Sequence, residues 1–170
     1  GLTSELGDTL RAPGPIFLPY LSGERTPHND AGIRGVLTGI SHATDRAAIT
    51  ASILEGVAFA FRDSLEALGA AGTRVQRLVA SGGGSRSTYW LKSIATALDV
   101  PVDIPAAGEV GAAFGAARLG MLASTAGTLA DCTPPPIEQS IEPDTDLRAA
   151  YEDAYQQYRK TYPAIRSTMP

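Results

Sequence analysis

The sequence predicts an α/β fold in which helices cover a partly parallel sheet. Strand and helix patterns alternate through the middle of the chain, as they do where crossover helices join neighbouring parallel strands. Three consecutive glycines, Gly82 to Gly84, stand where an apolar strand pattern gives way to a helix pattern. The length of 170 residues and the hydrophobic share of 44% suit about one domain with a buried core.

The N-terminal part of the chain predicts one short helix and two short strands. Leucines one helical turn apart favour a helix over Leu2 to Arg11. The apolar residues Ile16 to Leu21 predict an extended segment, and Gly35 to Ile40 predict a second strand. Residues 22–30 between them are polar and turn-forming, which indicates a loop.

A long helix is predicted from Asp45. Its apolar positions recur three or four residues apart and are Ile49, Ile53, Val57, Phe61, Leu65 and Leu68. Thr44 or Asp45 can cap its start, and the glycine-containing residues 69–72 can end it. Glu55 interrupts the apolar face, so we expect a structural carboxylate that has a hydrogen-bonding partner if it is buried.

Four shorter elements come next. They are a strand over Val75 to Ser81, a helix over Ser87 to Leu98, a strand over Val102 to Ile104 and a helix over Gly111 to Leu122. The last helix is rich in glycine and alanine, which lets a neighbouring helix or backbone approach it closely. The same composition also suits an alanine-rich core helix.

The C-terminal part predicts a linker and a terminal helix. The prolines at 134–136 break the chain and begin a linker over residues 134–144. The segment 145–166 is predicted to form a terminal helix, with Pro163 expected to stop its regular pattern, and one helix face carries Leu147, Tyr151, Tyr155, Tyr158 and Tyr162. We expect this face to pack on the domain, which covers residues 1–133, with the tyrosine hydroxyls at the solvent-exposed edge.

Composition excludes several classes of partner. The formal net charge is -4, from 14 basic and 18 acidic residues, and no basic run is present, so we expect no nucleic acid partner. The apolar run from Ile16 to Leu21 is too short to span a bilayer, and no signal peptide is seen. The single cysteine, Cys132, cannot form an internal disulfide. We therefore expect a cytoplasmic protein that does not enter membranes.

The three glycines also predict a binding site. A strand that ends at consecutive glycines and restarts as a helix brings together bare backbone, free N–H groups and the partial positive charge of a helix end. This geometry suits a ligand that carries phosphate. The sequence therefore predicts a phosphate-binding turn at Gly82, Gly83 and Gly84.

One alternative is the dinucleotide site of an NAD-dependent oxidoreductase. Gly82 and Gly84 supply the first two glycines of the G-x-G-x-x-G pattern, and Asp103 follows about twenty residues on. The third position is Ser87, where close packing of helix on strand favours glycine or alanine. Selective NADH binding that depends on Asp103 would distinguish this alternative.

Three other site classes lack residues that they require. A P-loop needs a lysine directly after its last glycine, and none follows until Lys92. Residues 39–43 resemble a nucleophile elbow around Ser41, but the base would have to be His28 folded back against it. Two histidines and one cysteine without ligand spacing argue against a dedicated zinc site.

Five segments, taken together, carry a family resemblance. They are Phe17–His28, Leu54–Val57, Ser81–Ser87 with Trp90, Val110–Ala117 and Tyr155–Pro163. Their order and spacing resemble the FGGY carbohydrate kinases, most closely the xylulose kinases of that family. The matching segments are spread over nearly the whole chain.

The resemblance implies a fold and a site. The fold is part of the C-terminal, nucleotide-binding lobe of the actin-like, ribonuclease-H-like ATPase fold, over residues 1–133, with the helix at 145–166 packed on it. The first strands of this lobe and the whole N-terminal lobe are expected upstream of the chain. The residues implied to contact the nucleotide are Gly82, Gly83, Gly84, Ser85 and Ser87. The glycines would pass under the nucleotide, and Ser87 would present its side chain to the adenine. The helix from Gly111 resembles the segment near the interlobe hinge.

The resemblance also implies ATP and Mg²⁺ as cofactors and D-xylulose as substrate, although related kinases for ribulose, gluconate, fuculose or glycerol share this lobe. In the family the catalytic aspartate and most magnesium contacts lie upstream, so we expect no catalytic residue in this chain and no turnover from it alone. The alternative is a nonenzymatic nucleotide-binding or association module. A homodimer is compatible with either.

Overall fold

A computed structural model describes residues 5–106, 111–125 and 127–168. It contains strands and helices, which confirms the predicted α/β class. In chain order the elements are β1 (Ile16–Leu18), β2 (Val36–Thr38), α1 (Arg46–Ala70), β3 (Leu78–Val79), α2 (Thr88–Leu98), β4 (Val102–Pro105), α3 (Gly111–Thr125), β5 (Ile137–Ile141) and α4 (Arg148–Arg166). Short 3₁₀ turns cover Gly83–Arg86 and Leu129–Asp131.

The strands form two small sheets. β1 and β2 pair antiparallel, with Phe17 opposite Leu37. In the second sheet β4 lies between β3 and β5. β3 pairs with β4 in parallel, with Leu78 opposite Val102, whereas β5 pairs with β4 antiparallel. The predicted partly parallel arrangement is therefore present at the β3–β4 pair.

Helix α1 begins where its sequence provides a cap. Asp45 Oδ1 accepts a hydrogen bond from the Ala48 backbone N–H over 2.7 Å, as the sequence predicts. Along the helix, Gly56 allows a close approach to β1, because a Cβ there would lie 2.3 Å from the Phe17 carbonyl oxygen. A larger residue at this position would push α1 away from β1.

Helices α1, α2 and α4 meet around the hydrophobic core. Tyr151, Tyr155 and Tyr158 of α4 are each at most 1% exposed, so this face packs on the domain. The prediction that their hydroxyls lie at a solvent-exposed edge is wrong. Tyr155 donates to Asp63 Oδ1 over 2.6 Å, and the Tyr158 and Tyr20 hydroxyls are 2.9 Å apart. These polar partners lie far away in sequence, so a single helix pattern does not indicate them.

The C-terminal part differs from the prediction in two places. Residues Ile137–Ile141 form β5 inside the stretch predicted as a linker, because this polar segment gains its backbone hydrogen bonds by pairing with β4. Helix α4 does not stop at Pro163 but continues to Arg166. Pro163 lacks the N–H that would bond to the carbonyl four residues earlier, and the helix continues for less than one turn beyond it.

The N-terminal part differs as well. Residues 6–11 are not helical, since Gly7 adopts a φ of 65°, which a right-handed helix does not allow. Leu6 and Leu10 are nevertheless buried in the core, and residues 2–4 of the predicted helix lie outside the described residues. β3 covers only Leu78–Val79 of the predicted strand. Within the described part of the chain, no helix is long and apolar enough to cross a membrane.

Candidate functional site

The three glycines form a tight turn between β3 and α2. Gly82 has φ 86° and ψ -175°, a backbone conformation that only glycine adopts without strain. The residues Gly83–Arg86 then form one 3₁₀ turn, and α2 begins at Thr88. The predicted change from strand to glycine turn to helix is therefore present.

Each glycine of this turn has its own structural reason. Gly82 is needed for its positive φ. At Gly83 an added Cβ would meet no described atom within 4 Å, so the backbone is open on that side. At Gly84 an added Cβ would lie 2.4 Å from Trp90 Cζ3, so glycine is needed because an aromatic ring occupies the adjacent space.

Both predicted serines have bonds within the turn. Ser85 Oγ donates to the Gly82 carbonyl oxygen over 2.7 Å. Ser87 is the N-cap of α2, and its Oγ accepts from the Trp90 backbone N–H over 3.3 Å. The cap orients the first turn of α2, whose free N–H groups carry partial positive charge. The contact of Ser87 with an adenine ring stays a prediction.

An apolar cavity of about 390 Å³ lies beside the turn. Gly84 and Ser85 line it, together with apolar side chains from α1 and α2 such as Phe61, Leu65 and Trp90. Gly82, Gly83 and Ser87 are not among its lining residues. A cavity of this size with a few polar groups at one side is typical of small-molecule sites. The structure therefore brings part of the predicted site to the cavity and leaves the rest on the outer side of the turn.

Asp103 is engaged in bonds within the sheet. Its Oδ2 accepts from Arg77 Nε over 2.7 Å, and its Oδ1 accepts from Ser140 Oγ over 2.7 Å. These two hydrogen bonds lower the pKa of Asp103 to about 2. A dinucleotide site would need this carboxylate to accept from a ribose hydroxyl, whereas here it accepts from Arg77, next to β3, and from Ser140 of β5.

The nucleophile-elbow alternative is also without support. Ser41 Oγ accepts from the Ala43 backbone N–H over 3.2 Å in an exposed turn. The His28 ring instead stacks on Tyr162, with ring centroids 3.6 Å apart. The His28 backbone N–H donates to Glu24 Oε2 over 2.8 Å, so the Glu24 side chain stabilises the loop between these two residues. No hydrogen bond joins His28 to Ser41 in the part of the chain that the structure describes.

Glu55 is buried between helices. It is 2% exposed, and its Oε1 accepts from the Tyr89 hydroxyl over 3.0 Å, which provides the partner expected for a buried carboxylate. Burial raises the pKa of Glu55 to about 7, against the smaller lowering by Tyr89. The sequence indicates Glu55 as a break in an apolar face, but nothing in it identifies Tyr89 as the partner.

Metal ligands are not gathered in this chain as far as it is described. Across residues 5–106, 111–125 and 127–168, no three His, Cys, Asp or Glu side chains come close enough to hold an ion. The open backbone at Gly83 and the apolar cavity that adjoins the turn at Gly84 are two features that a nucleotide site requires.

The chain is similar to carbohydrate kinases in sequence and in structure. The sequence profile of the FGGY family of carbohydrate kinases, C-terminal domain, matches residues 4–124. Xylulose kinase of Escherichia coli (strain K12) is 38% identical over 155 residues, which cover 90% of this chain and 32% of that protein.

Solved structures agree with the sequence match. The crystal structure of a xyloylose kinase from Brucella ovis has 58% identity and a TM-score of 0.90, over 98% of this chain and 35% of that one. A xylulose kinase from Rhodospirillum rubrum has 29% identity and a TM-score of 0.76, over 98% of this chain and 33% of that one. The chain thus spans about a third of the length of these relatives. Its predicted fold, the C-terminal domain of an actin-like ATPase, is confirmed.

Proposed function

Because the chain belongs to the FGGY family of carbohydrate kinases, we propose that it is the ATP-binding C-terminal portion of a sugar kinase. The complete protein would transfer the γ-phosphate of ATP to a hydroxyl of D-xylulose. The choice of D-xylulose is supported by relatives that are named xylulose kinase. The observation that carries the nucleotide site is the open backbone of the glycine turn beside an apolar cavity.

The geometry of the turn suits the two chemical parts of a nucleotide. Backbone N–H groups at the start of a helix attract phosphate oxygens, and α2 begins at Thr88, shortly after the glycine turn. An apolar cavity accommodates a flat base. The residues that would hold the nucleotide are Gly82, Gly83, Gly84, Ser85 and Ser87.

ATP supplies the phosphoryl group, and Mg²⁺ neutralises the charge that develops during its transfer. Phosphoryl transfer depends on positioning a base, a metal and both substrates at once, so a chain that holds only the nucleotide does not turn over. We therefore expect this polypeptide to bind ADP and to show no kinase activity. A coupled assay with ATP and D-xylulose that gave an enzymatic rate from this chain alone would contradict this expectation.

Calorimetry with ADP tests the proposed site. Gly83→Asp places a carboxylate on the open side of the turn, where repulsion between it and the phosphates should abolish measurable binding. Gly14→Asp is the matched control, since a Cβ there also meets no described atom within 4 Å and the position is exposed. Equal binding by both variants would place the nucleotide elsewhere.

The same experiment separates the alternatives. An unmutated chain that binds no ADP favours an association module without nucleotide affinity. Selective binding of NADH that is lost in Asp103→Asn favours an oxidoreductase, and the bonds of Asp103 to Arg77 and Ser140 argue against that result. The kinase proposal expects the affinity for ADP to be the same in Asp103→Asn and in the unmutated chain.

A further inference from the structure

Trp90 lies between the glycine turn and helix α1 and contacts both. Its Nε1–H donates a hydrogen bond to the Leu54 carbonyl oxygen over 3.2 Å, although the two residues are 36 positions apart. Its backbone N–H donates to Ser87 Oγ over 3.3 Å, within the cap of α2. Through its backbone and its side chain, Trp90 therefore links the start of α2 to the middle of α1.

The ring of Trp90 also limits how closely the glycine turn can approach α2. Built on Gly84, a Cβ would lie 2.4 Å from Trp90 Cζ3 and 3.1 Å from Cε3, so the six-membered ring is packed directly against the glycine. Neither Gly82 nor Gly83 has any described atom within 4 Å of such a Cβ. Among the three glycines, Gly84 alone rests on a side chain of the described residues.

The point on α1 that Trp90 contacts is itself held in the core. Glu55 follows Leu54 and bonds to Tyr89 of α2, and Gly56 packs against the Phe17 carbonyl oxygen of β1. Trp90 therefore ties the turn to a segment that is fixed on two sides. A ring that is packed and hydrogen-bonded has little freedom to move, so it can hold the backbone that rests on it.

We propose that Trp90 is a positioning residue. It keeps the glycine turn at a fixed distance from α1 through its contact with Gly84 and its hydrogen bond to Leu54. The effect of Trp90 on nucleotide affinity rests on the proposed function of the turn. The effect of Trp90 on the structure of the turn does not, and separate experiments test the two effects.

Amide hydrogen exchange tests the effect on the turn. The Ser85 and Ser87 amides donate to the Gly82 and Gly84 carbonyl oxygens, each over 3.1 Å, and their exchange measures how firmly the turn is held. We expect Trp90→Leu to speed both by at least about tenfold. Trp90→Phe keeps a ring beside Gly84 but loses the bond to Leu54, and should fall between. Unchanged exchange in Trp90→Leu, with unchanged protection in α4 as proof of folding, would overturn the proposal.

A second variant changes the other partner of the contact between Trp90 and Gly84. Gly84→Ala leaves Trp90 in place but inserts a Cβ into the space of its ring, so the ring or the turn must shift. Trp90 is the single tryptophan of the chain, so its fluorescence measures that shift directly. We expect a changed emission maximum and faster exchange at Ser85 and Ser87. Gly83→Ala is the matched control and should change neither, because its Cβ points into space that no described atom occupies.

ADP calorimetry on the same variants tests the consequence for the ligand. If the unmutated chain binds ADP, we expect Trp90→Leu and Gly84→Ala to weaken binding by about tenfold or more. Unchanged affinity in both variants would overturn the role of Trp90 in nucleotide binding. If the unmutated chain binds no ADP, the proposed function fails, while exchange and fluorescence still decide whether Trp90 holds the turn.

Discussion

The Tyr89 hydroxyl donates a hydrogen bond over 3.0 Å to Glu55 Oε1, and this bond joins helices α1 and α2 inside the core. The second carboxylate oxygen, Glu55 Oε2, is buried and has no hydrogen-bonding partner among the described residues. A carboxylate with one neutral donor in a buried position is stabilised too little to stay fully charged at neutral pH.

Glu55→Gln should remove a pH dependence of stability. The pKa of Glu55 is about 7 in the folded chain and 4.5 ordinarily, so the folded chain binds the proton more strongly. The stability that this proton contributes is complete below pH 4.5 and is lost as the pH rises through 7. Glutamine resembles the protonated form, and at pH 8 it should be more stable than the charged carboxylate by about 3 kcal/mol.

Urea unfolding between pH 4.5 and 8 measures this effect. Glu138→Gln is the control, since Glu138 is exposed on β5 and should keep the pH dependence of the unmutated chain. A free energy of unfolding that falls equally with pH in Glu55→Gln and in the unmutated chain would show that another group binds the proton.

Gly56→Ala should destabilise the chain by about 1–3 kcal/mol or more, because its Cβ meets backbone that cannot rotate away. The nearest atom is the Phe17 carbonyl oxygen at 2.3 Å. Gly69→Ala in the same helix is the control, and its free energy of unfolding should change by less than about 1 kcal/mol, since its Cβ meets no described atom within 4 Å. Equal urea midpoints for the two variants would mean that α1 does not approach β1 this closely.

Gly82→Ala should cost about 1–3 kcal/mol, since a φ of 86° with a ψ of -175° is a backbone conformation that is strained for alanine. Gly83→Ala should leave the urea midpoint nearly unchanged. Position 83 has no positive φ, and an added Cβ would have no described atom within 4 Å. A loss of stability in Gly83→Ala as large as that in Gly82→Ala would contradict the geometry of the turn.

Tyr155→Phe should cost about 1–3 kcal/mol, because it removes the donor of a buried carboxylate. The Tyr155 hydroxyl donates to Asp63 Oδ1 over 2.6 Å, and both side chains are buried. Tyr162→Phe is the comparison, since its bond to Asp30 lies nearer the surface and its loss should be smaller. The free energy of unfolding in urea distinguishes the two.

The elements that the sequence predicts well are those whose signals are local. Asp45 caps α1 through a bond to a residue three positions on. The apolar period correctly predicts that α1 is a helix, but not which face it buries. Ile53, Phe61 and Leu68 of the predicted apolar face are exposed, whereas Glu55 and Phe59 are buried, because α1 packs on elements that lie far away in sequence. The glycine turn is equally predictable, because consecutive glycines between an apolar run and a helix pattern are typical of a tight turn. Family resemblance then identifies the fold, which the structural comparison confirms.

The elements that the sequence misses depend on distant partners. β5 exists because β4 offers it backbone hydrogen bonds, and its own residues Ile137–Ile141 are mostly polar and exposed. The buried hydroxyl of Tyr155 depends on Asp63, which lies 92 positions away. The reason for glycine at position 84 is the ring of Trp90, whose position depends on the path of the 3₁₀ turn.

The central claim is that the glycine turn binds an adenine nucleotide, and the most direct test follows its own amides. In a titration of the chain with ADP, the amide NMR signals of Gly82, Gly83 and Gly84 should show the largest shifts and saturate with the calorimetric affinity. Binding of ADP that leaves these three signals unchanged while others shift, or an absence of binding by the folded chain, would contradict the account.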